Sequence, residues 1–130
     1  MIVADTNVWA RAYLNDDQGQ AKKARKALAE GRSKGGVFVP MVVMAELAWV
    51  LRAKWDRKRV LDTLESLLQT RGVVVESSAL VQEAMEATRQ GGKGGFADHL
   101  VAQVGFANGA REIVTFDDKF GKAPKVRRLK

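Results

Sequence analysis

Short apolar runs alternate along this chain with longer segments in which apolar residues recur three and four positions apart. Short apolar runs are typical of buried β-strands, and the longer spacing is typical of amphipathic helices. Strands are predicted over residues 2–4, 37–39, 73–75 and 113–115, and residues 125–129 are a candidate for a short basic edge strand. One helix, capped by Thr6 or Asn7, is predicted to carry Val8, Trp9 and Tyr13. Other helices are predicted over 20–32, 41–54 and 57–69, around residues 80–85, and over 97–107.

Strands that are separated by helices favour a parallel sheet, because neighbouring parallel strands need a crossover connection, which is normally right-handed. The order of elements therefore predicts an α/β fold with a central parallel sheet of four or five strands and helices on both faces, a three-layer α/β/α arrangement. The helix over 41–54 begins after Pro40, is apolar nearly all round and is predicted to be buried. Four glycines within residues 91–95 predict a mobile loop.

Length and composition limit the chain further. With 130 residues, 46% of them hydrophobic and 28% charged, it has the size and composition of one globular domain over residues 1–130. The longest apolar stretch, residues 37–51, is interrupted by Pro40 and Glu46, so no membrane span is expected. The first residues lack the basic segment and apolar run of a secretory signal, and we expect a cytoplasmic protein.

Net charge and the available ligand residues limit the kinds of binding partner and metal site that are possible. The net charge is +7 and the pI is near 10.0, a balance that favours a polyanion such as nucleic acid or an anionic membrane face, although charge by itself does not decide this. The sequence contains no cysteine and one histidine, so thiolate and histidine-cluster metal sites are excluded. A bound metal must then be held by oxygen ligands.

Four carboxylates stand where the apolar pattern does not explain them. Asp5 ends the first strand, and Glu46 interrupts the apolar helix. Asp98 lies in the first turn of the helix after the glycines, and Asp117 follows the fourth strand. In an open parallel sheet all four positions belong to the carboxyl edge of the strands, where one crevice can hold them. Asp5 and Asp117 lie close together there if the first and fourth strands are neighbours.

Carboxylates that share an apolar crevice repel one another and lose solvation, so a cation must offset them. An all-oxygen ligand set suits Mg²⁺ or Mn²⁺. Each aspartate also has an alternative role: Asp5 as a helix cap, Asp98 as a partner of the helix dipole, and Asp117 as a turn former. Glu46 has no comparable alternative, because its own segment offers it no obvious partner.

These residues carry a resemblance that covers essentially the whole chain. Residues 5–8 (DTNV), the apolar helix with Glu46, residues 96–100 (FADHL), and residues 114–117 (VTFD) followed by Phe120 resemble the PIN domain, in particular the VapC-type toxins of bacterial and archaeal toxin-antitoxin pairs. The ordered quartet of acids, with apolar strands before its first and last members, makes the resemblance specific.

The resemblance implies an acidic, catalytic and metal-holding site composed of Asp5, Glu46, Asp98 and Asp117, with Asn7 and Thr115 as supporting polar neighbours. It implies a Mg²⁺- or Mn²⁺-dependent endoribonuclease, in which the metal orients a water for in-line attack on an RNA phosphodiester. It further implies a homodimer that is neutralised by a cognate antitoxin. Because side chains alternate along a strand, only one of Asp117 and Asp118 is expected to face the crevice.

Several other side chains have expected places. His99 is predicted to lie on the helix surface, turned away from Asp98 by one helical step. The three tryptophans are interpreted as core or dimer contacts rather than as platforms for RNA bases. Candidate phosphate contacts are Lys22, Lys23, Arg25, Lys26, Arg127 and Arg128.

Two other functions are compatible with the sequence. One is a PIN fold that binds RNA or a protein without cutting, and the intact acidic quartet disfavours it. The other is a metal-dependent DNA nuclease, which is disfavoured because the chain is short for added elements that grip DNA.

Overall fold

A computed structural model describes residues 1–91 and 93–130. They form two compact units, Met1–Ser78 and Ala79–Lys130. The first unit contains β1 (Ile2–Val3), α1 (Thr6–Leu14), α2 (Gln18–Ser33), β2 (Val37–Val39), α3 (Met41–Arg52), α4 (Arg57–Gln69) and β3 (Val73–Val75). Helix α5 (Ser78–Gly91) begins at the boundary, and the second unit continues with α6 (Phe96–Ala107), β4 (Ile113–Thr115), a short 3-10 helix (Phe120–Lys122) and β5 (Val126–Arg128).

The predicted α/β class with parallel strands is confirmed. In the first unit β2 lies between β1 and β3, and Val37 pairs with Ile2 on one side and Val73 on the other. In the second unit β4 pairs with β5, so the candidate basic edge strand is present. All of these pairs are parallel, as expected where helices connect successive strands. The described strands thus form one sheet of three and one of two.

The core of the first unit lies between its sheet and its helices. Val37 and Val39 of β2 are fully buried, together with Leu47 and Leu51 of α3 and Leu64 of α4. The prediction that β1 is buried was wrong: its two side chains are 41% and 61% exposed. The reason is that β1 is two residues long and stands at the end of the described three-stranded sheet, where fewer side chains cover it.

Two helix starts differ from the sequence prediction because of their caps. Asp5, and not Thr6 or Asn7, caps α1: its Oδ1 accepts a hydrogen bond from the backbone N–H of Val8 at 3.3 Å. Helix α2 begins at Gln18, two residues earlier than predicted, because Asp17 caps it by accepting from the backbone N–H of Gln20 at 3.0 Å.

Helix α3 starts in a different way. Pro40 has no side-chain acceptor, and Glu76 Oε1 accepts from the backbone N–H of Met41 at 2.9 Å instead. The prediction that α3 is buried nearly all round was also wrong, since Val42 is 63% and Trp49 is 78% exposed. These two residues and Glu46 recur at helical spacing and share one side of α3, so Glu46 lies on an exposed side and does not interrupt a buried one.

The core of the second unit forms around Phe120, which is 3% exposed and packs with Ala102, Ala123, Ile113 and Val126. Of the glycines that predicted a mobile loop, Gly92 lies outside the described residues. None of the helices in residues 1–91 and 93–130 is long and apolar enough to cross a membrane.

Candidate active site

Glu46 of α3 contacts the start of α1. Thr6 Oγ1 donates a hydrogen bond to Glu46 Oε1 at 3.3 Å. Because Asp5 is the residue before Thr6 and caps α1, the contact brings Glu46 to the end of the helix where Asp5 stands. Sequence reasoning treated Thr6 only as a possible cap. The position of Thr6 directly after Asp5 was a signal that it could lie at the site. Its partner Glu46, 40 residues away, could not be predicted from the spacing of residues.

Asp98 is held at the start of α6. Its Oδ2 accepts from the backbone N–H of Gly95 at 3.1 Å, and the carbonyl of Gly95 accepts from the backbone N–H of His99 at 3.1 Å. The carboxylate also lies in the first turn, where the positive end of the helix dipole favours a negative charge. The side chain is half-buried, so it is ordered by the helix start while remaining accessible.

Asp117 is held on both sides by short-range contacts. Its backbone N–H donates to Thr115 Oγ1 at 3.1 Å, and its Oδ1 accepts from the backbone N–H of Phe120 at 2.7 Å. Asp118 instead forms an ion pair with Arg128, whose Nη1 lies 2.8 Å from Asp118 Oδ1. The structure therefore distinguishes the two neighbouring acids: Asp118 has a cationic partner, whereas among the described residues Asp117 has hydrogen-bond donors alone.

Each predicted site acid uses one carboxylate oxygen in these contacts: Asp5 Oδ1, Glu46 Oε1, Asp98 Oδ2 and Asp117 Oδ1. Within the described part of the chain, the other oxygen of each has no hydrogen-bond partner. The three aspartates thus fill the capping and turn-forming roles that the sequence left open, and they do so without using their full capacity as acceptors.

The structure joins these residues in two groups. Glu46 and the Asp5 end of α1 meet in the first unit, and Asp98 and Asp117 are linked through the contacts of His99 and Phe120 in the second. Inside either unit, the described residues contain no group of three or more acidic or histidine side chains that could hold a metal ion. The convergence of all four carboxylates in one crevice stays a prediction.

A family model of the PIN domain matches residues 2–126. The chain belongs to the PIN domain family. A curated relative, the VapC ribonuclease of Aquifex aeolicus strain VF5, is 28% identical over 115 residues, which cover 85% of this chain and 83% of the relative. Among solved structures, Mycobacterium tuberculosis VapC20, described as a sarcin-ricin loop cleaving toxin, matches with a TM-score of 0.49 and 19% identity over 97% of each chain. The resemblance drawn from the sequence motifs is confirmed.

The sequence analysis predicted that the histidine of this PIN domain lies on the helix surface, and this prediction was wrong. His99 is 5% exposed, and its Nε2 lies 2.7 Å from the carbonyl oxygen of Lys93. Its ring meets the Phe120 ring edge-on, with 5.4 Å between the ring centroids. The reason is helical spacing, because His99 lies three residues after Phe96 and one before Leu100, both of which are buried.

The tryptophans of the PIN domain have three different environments. Trp9 is 4% exposed and stacks near Tyr13, with 6.3 Å between ring centroids. Burial raises the pKa of Tyr13 above its ordinary value, an effect that the nearby Arg32 partly offsets. Trp55 is half-buried beneath the Arg59 guanidinium, 3.8 Å from its ring centroid. Trp49 is exposed, so core packing accounts for Trp9 and not for Trp49.

The basic residues of the PIN domain that were predicted to contact phosphate differ in whether their side chains already have partners. Arg127 Nη2 lies 2.9 Å from Glu112 Oε1, and this guanidinium holds the pKa of Glu112 below its usual range. Arg128 is paired with Asp118, and Arg25 Nε donates to the carbonyl of Ala12 at 3.2 Å. In the described part of the chain, the lysines of α2 are exposed and make neither ion pairs nor side-chain hydrogen bonds: Lys22, Lys23 and Lys26.

Proposed function

We propose that this PIN domain is a divalent-metal-dependent endoribonuclease and the VapC-type toxin of a toxin-antitoxin pair. The observation that carries the proposal is the state of the four acids: each is oriented by one hydrogen bond and keeps a second oxygen for a ligand. The match to the curated VapC ribonuclease over most of both chains supports the same activity. The family match runs through both units, which supports one PIN domain over residues 1–130.

The ligand set fits a hard divalent cation, because its donors are carboxylate oxygens and it includes no thiolate. Asp5, Glu46, Asp98 and Asp117 would hold Mg²⁺ or Mn²⁺. When bound, such an ion activates a water for in-line attack on a phosphodiester and stabilises the charge that develops on the leaving oxygen.

The surrounding residues orient these acids. Thr6 holds one oxygen of Glu46, and Thr115 fixes the backbone of Asp117. Asn7 is an exposed neighbour of Asp5 in the first turn of α1, where its amide can contact the substrate phosphate. Because each acid has its orientation set by the fold, little reorganisation is needed when a cation and a phosphate arrive.

RNA binding is proposed to depend on the exposed lysines of α2. Lys22, Lys23 and Lys26 are available for phosphate contacts, whereas Arg127 and Arg128 must exchange an existing ion pair for a phosphate. A cationic surface concentrates a polyanion near the acids, and the bound cation offsets the repulsion between the carboxylates and the phosphate backbone.

We propose a homodimer because the VapC-type assignment implies one, and the exposed Trp49 is available as a contact. Large exposed aromatic side chains are enriched at protein interfaces. We also propose a cytoplasmic location and control by a cognate antitoxin protein, as the VapC-type assignment implies.

The test is cleavage of a structured RNA by the purified chain in chelator, in Mg²⁺ and in Mn²⁺, with a DNA strand of the same sequence in parallel. We expect the RNA to be cleaved in the presence of metal and the DNA strand to stay intact. Binding of RNA without cleavage in either metal would favour the non-cleaving PIN module, and equal cleavage of the DNA would favour a general nuclease. A reading frame for an antitoxin-like protein directly upstream of this gene would favour a toxin over an RNA-processing enzyme.

A further inference from the structure

The single histidine of the chain is buried beside one of the proposed metal ligands. His99 follows Asp98, is 5% exposed, and places Nε2 at 2.7 Å from the carbonyl oxygen of Lys93. Because a carbonyl oxygen only accepts hydrogen bonds, Nε2 must carry a proton in this contact. The imidazole therefore ties α6 to the chain segment that leads into it.

The same segment orients Asp98. The backbone N–H of Gly95 donates to Asp98 Oδ2 at 3.1 Å, and the Gly95 carbonyl accepts from the backbone N–H of His99 at 3.1 Å. The bond from the His99 ring to Lys93 adds a third connection between residues 93–95 and the first turn of α6. A displacement of these residues would move the donor that sets the direction of the Asp98 carboxylate.

The imidazole also contacts Phe120, whose backbone N–H orients Asp117. The rings of His99 and Phe120 meet edge-on, with an interplanar angle of 78°. The backbone N–H of Phe120 donates to Asp117 Oδ1 at 2.7 Å. Gly94, with φ of +93°, lies against the same ring, and a Cβ atom there would stand 2.8 Å from Phe120.

We propose that His99 is a positioning residue that couples Asp98 to Asp117. Its ring nitrogen holds the Lys93 to Gly95 segment on which Asp98 depends, and its ring contacts Phe120, whose N–H holds Asp117. The inference rests on the proposed function, in which both aspartates hold the metal. Replacing a residue that orients a metal ligand typically lowers metal affinity or activity by about 10-fold to 100-fold.

Two substitutions separate the hydrogen bond of His99 from its packing. His99→Phe keeps a flat ring against Phe120 and removes the donor to Lys93. His99→Gln places an amide N–H near the position of Nε2 and removes the ring. Val101→Ala is the matched control, since Val101 lies on α6 but is 62% exposed.

The measurements are the Mn²⁺ affinity by calorimetry and kcat and KM on RNA. We expect His99→Phe to weaken Mn²⁺ binding about 10-fold to 100-fold and to lower kcat, with KM for RNA unchanged, because the substrate-binding surface is intact. His99→Gln should also weaken Mn²⁺ binding, because it lacks the ring that contacts Phe120, and Val101→Ala should match the parent. Parent-like Mn²⁺ affinity in either His99 variant would overturn the coupling.

Because the chain has one histidine, its imidazole ¹⁵N resonances are assigned without ambiguity. We expect a protonated, hydrogen-bonded Nε2, and in His99→Phe we expect shifted amide resonances of Gly95 and Phe120 within an otherwise parent-like spectrum. An unprotonated Nε2 would overturn the inference. If His99→Phe does not fold, the affinity of His99→Gln decides: weakened Mn²⁺ binding supports the inference, and parent-like binding overturns it.

The same data separate this inference from the proposed function. A parent that binds Mn²⁺ in a His99-dependent way but cuts no RNA contradicts only the ribonuclease. A parent that cuts RNA while His99→Phe is unaffected contradicts only the positioning role.

Discussion

Thr6 Oγ1 donates to Glu46 Oε1 across 3.3 Å, joining residues that are 40 positions apart. The contact places a hydroxyl donor from the first turn of α1 against a carboxylate in the middle of α3. An exposed hydrogen bond of this length contributes at most about 1 kcal/mol to stability. Its importance in a PIN domain is therefore the direction it imposes on Glu46, next to the Asp5 end of α1.

Thr6→Val keeps the branched shape of the side chain and removes the hydroxyl. We expect kcat on RNA to fall about fivefold, the rate equivalent of about 1 kcal/mol, with little change in the melting temperature. Thr63→Val is the control, because the Thr63 hydroxyl donates only within α4, to the carbonyl of Arg59 at 2.8 Å. A similar fall in both variants would show that the effect is unrelated to Glu46.

Replacing the aspartates by asparagine tests the proposed ligands without removing their caps, since an asparagine oxygen still accepts the capping hydrogen bond. Asp5→Asn, Asp98→Asn and Asp117→Asn should each fold and lose more than about 100-fold in metal-dependent cleavage, beyond the range for residues that only orient a ligand. Asp118→Asn is the matched control, because Asp118 is paired with Arg128. Activity that survives in one of the first three variants removes that residue from the site.

Thermal melts test whether the four carboxylates share a crevice. Without metal, their mutual repulsion opposes folding, so Asp117→Asn or Glu46→Gln should raise the melting temperature in chelator by a few degrees. Millimolar Mg²⁺ or Mn²⁺ should stabilise the parent by about 2.7 kcal/mol at 100 times its dissociation constant, and should stabilise these variants less. Solvated, separate acids would leave all of the midpoints unchanged.

The salt dependence of RNA binding tests the basic face of α2. Each phosphate contact that is lost should reduce the slope of log affinity against log salt by about 0.7 for single-stranded RNA. Lys22→Ala, Lys23→Ala and Lys26→Ala together should therefore flatten the slope by about 2. Arg127→Ala should change it little, because Arg127 is paired with Glu112. A slope in the triple variant equal to that of the parent would place the RNA elsewhere.

Some elements were determined by the local sequence. Helix α4 spans the residues that its apolar stripe predicts, and β2, β3 and β4 coincide with their predicted runs. The motifs around the four acids were sufficient to indicate the PIN family, which the family match confirms. These features depend on periodicity, capping and strand length, and each of them acts within a few residues.

Other features depended on contacts between distant residues. The sequence analysis treated Thr6 only as a possible cap of α1, whereas its hydroxyl contacts Glu46, 40 positions away. It placed His99 on the surface, whereas His99 is buried and packs against Phe120. It placed Glu46 in a buried helix, whereas Glu46 lies on the exposed side of α3. It could not separate Asp117 from Asp118, and the ion pair with Arg128 now does.

The sequence by itself therefore determined the fold class, the family and the identity of the candidate acids, because these follow from residue type and short-range spacing. The tertiary structure decided which hydroxyl supports Glu46 and which of Asp117 and Asp118 is neutralised. Those outcomes require side chains from different elements to come within about 3 Å, the range of a hydrogen bond, and spacing along one segment carries no information about that distance.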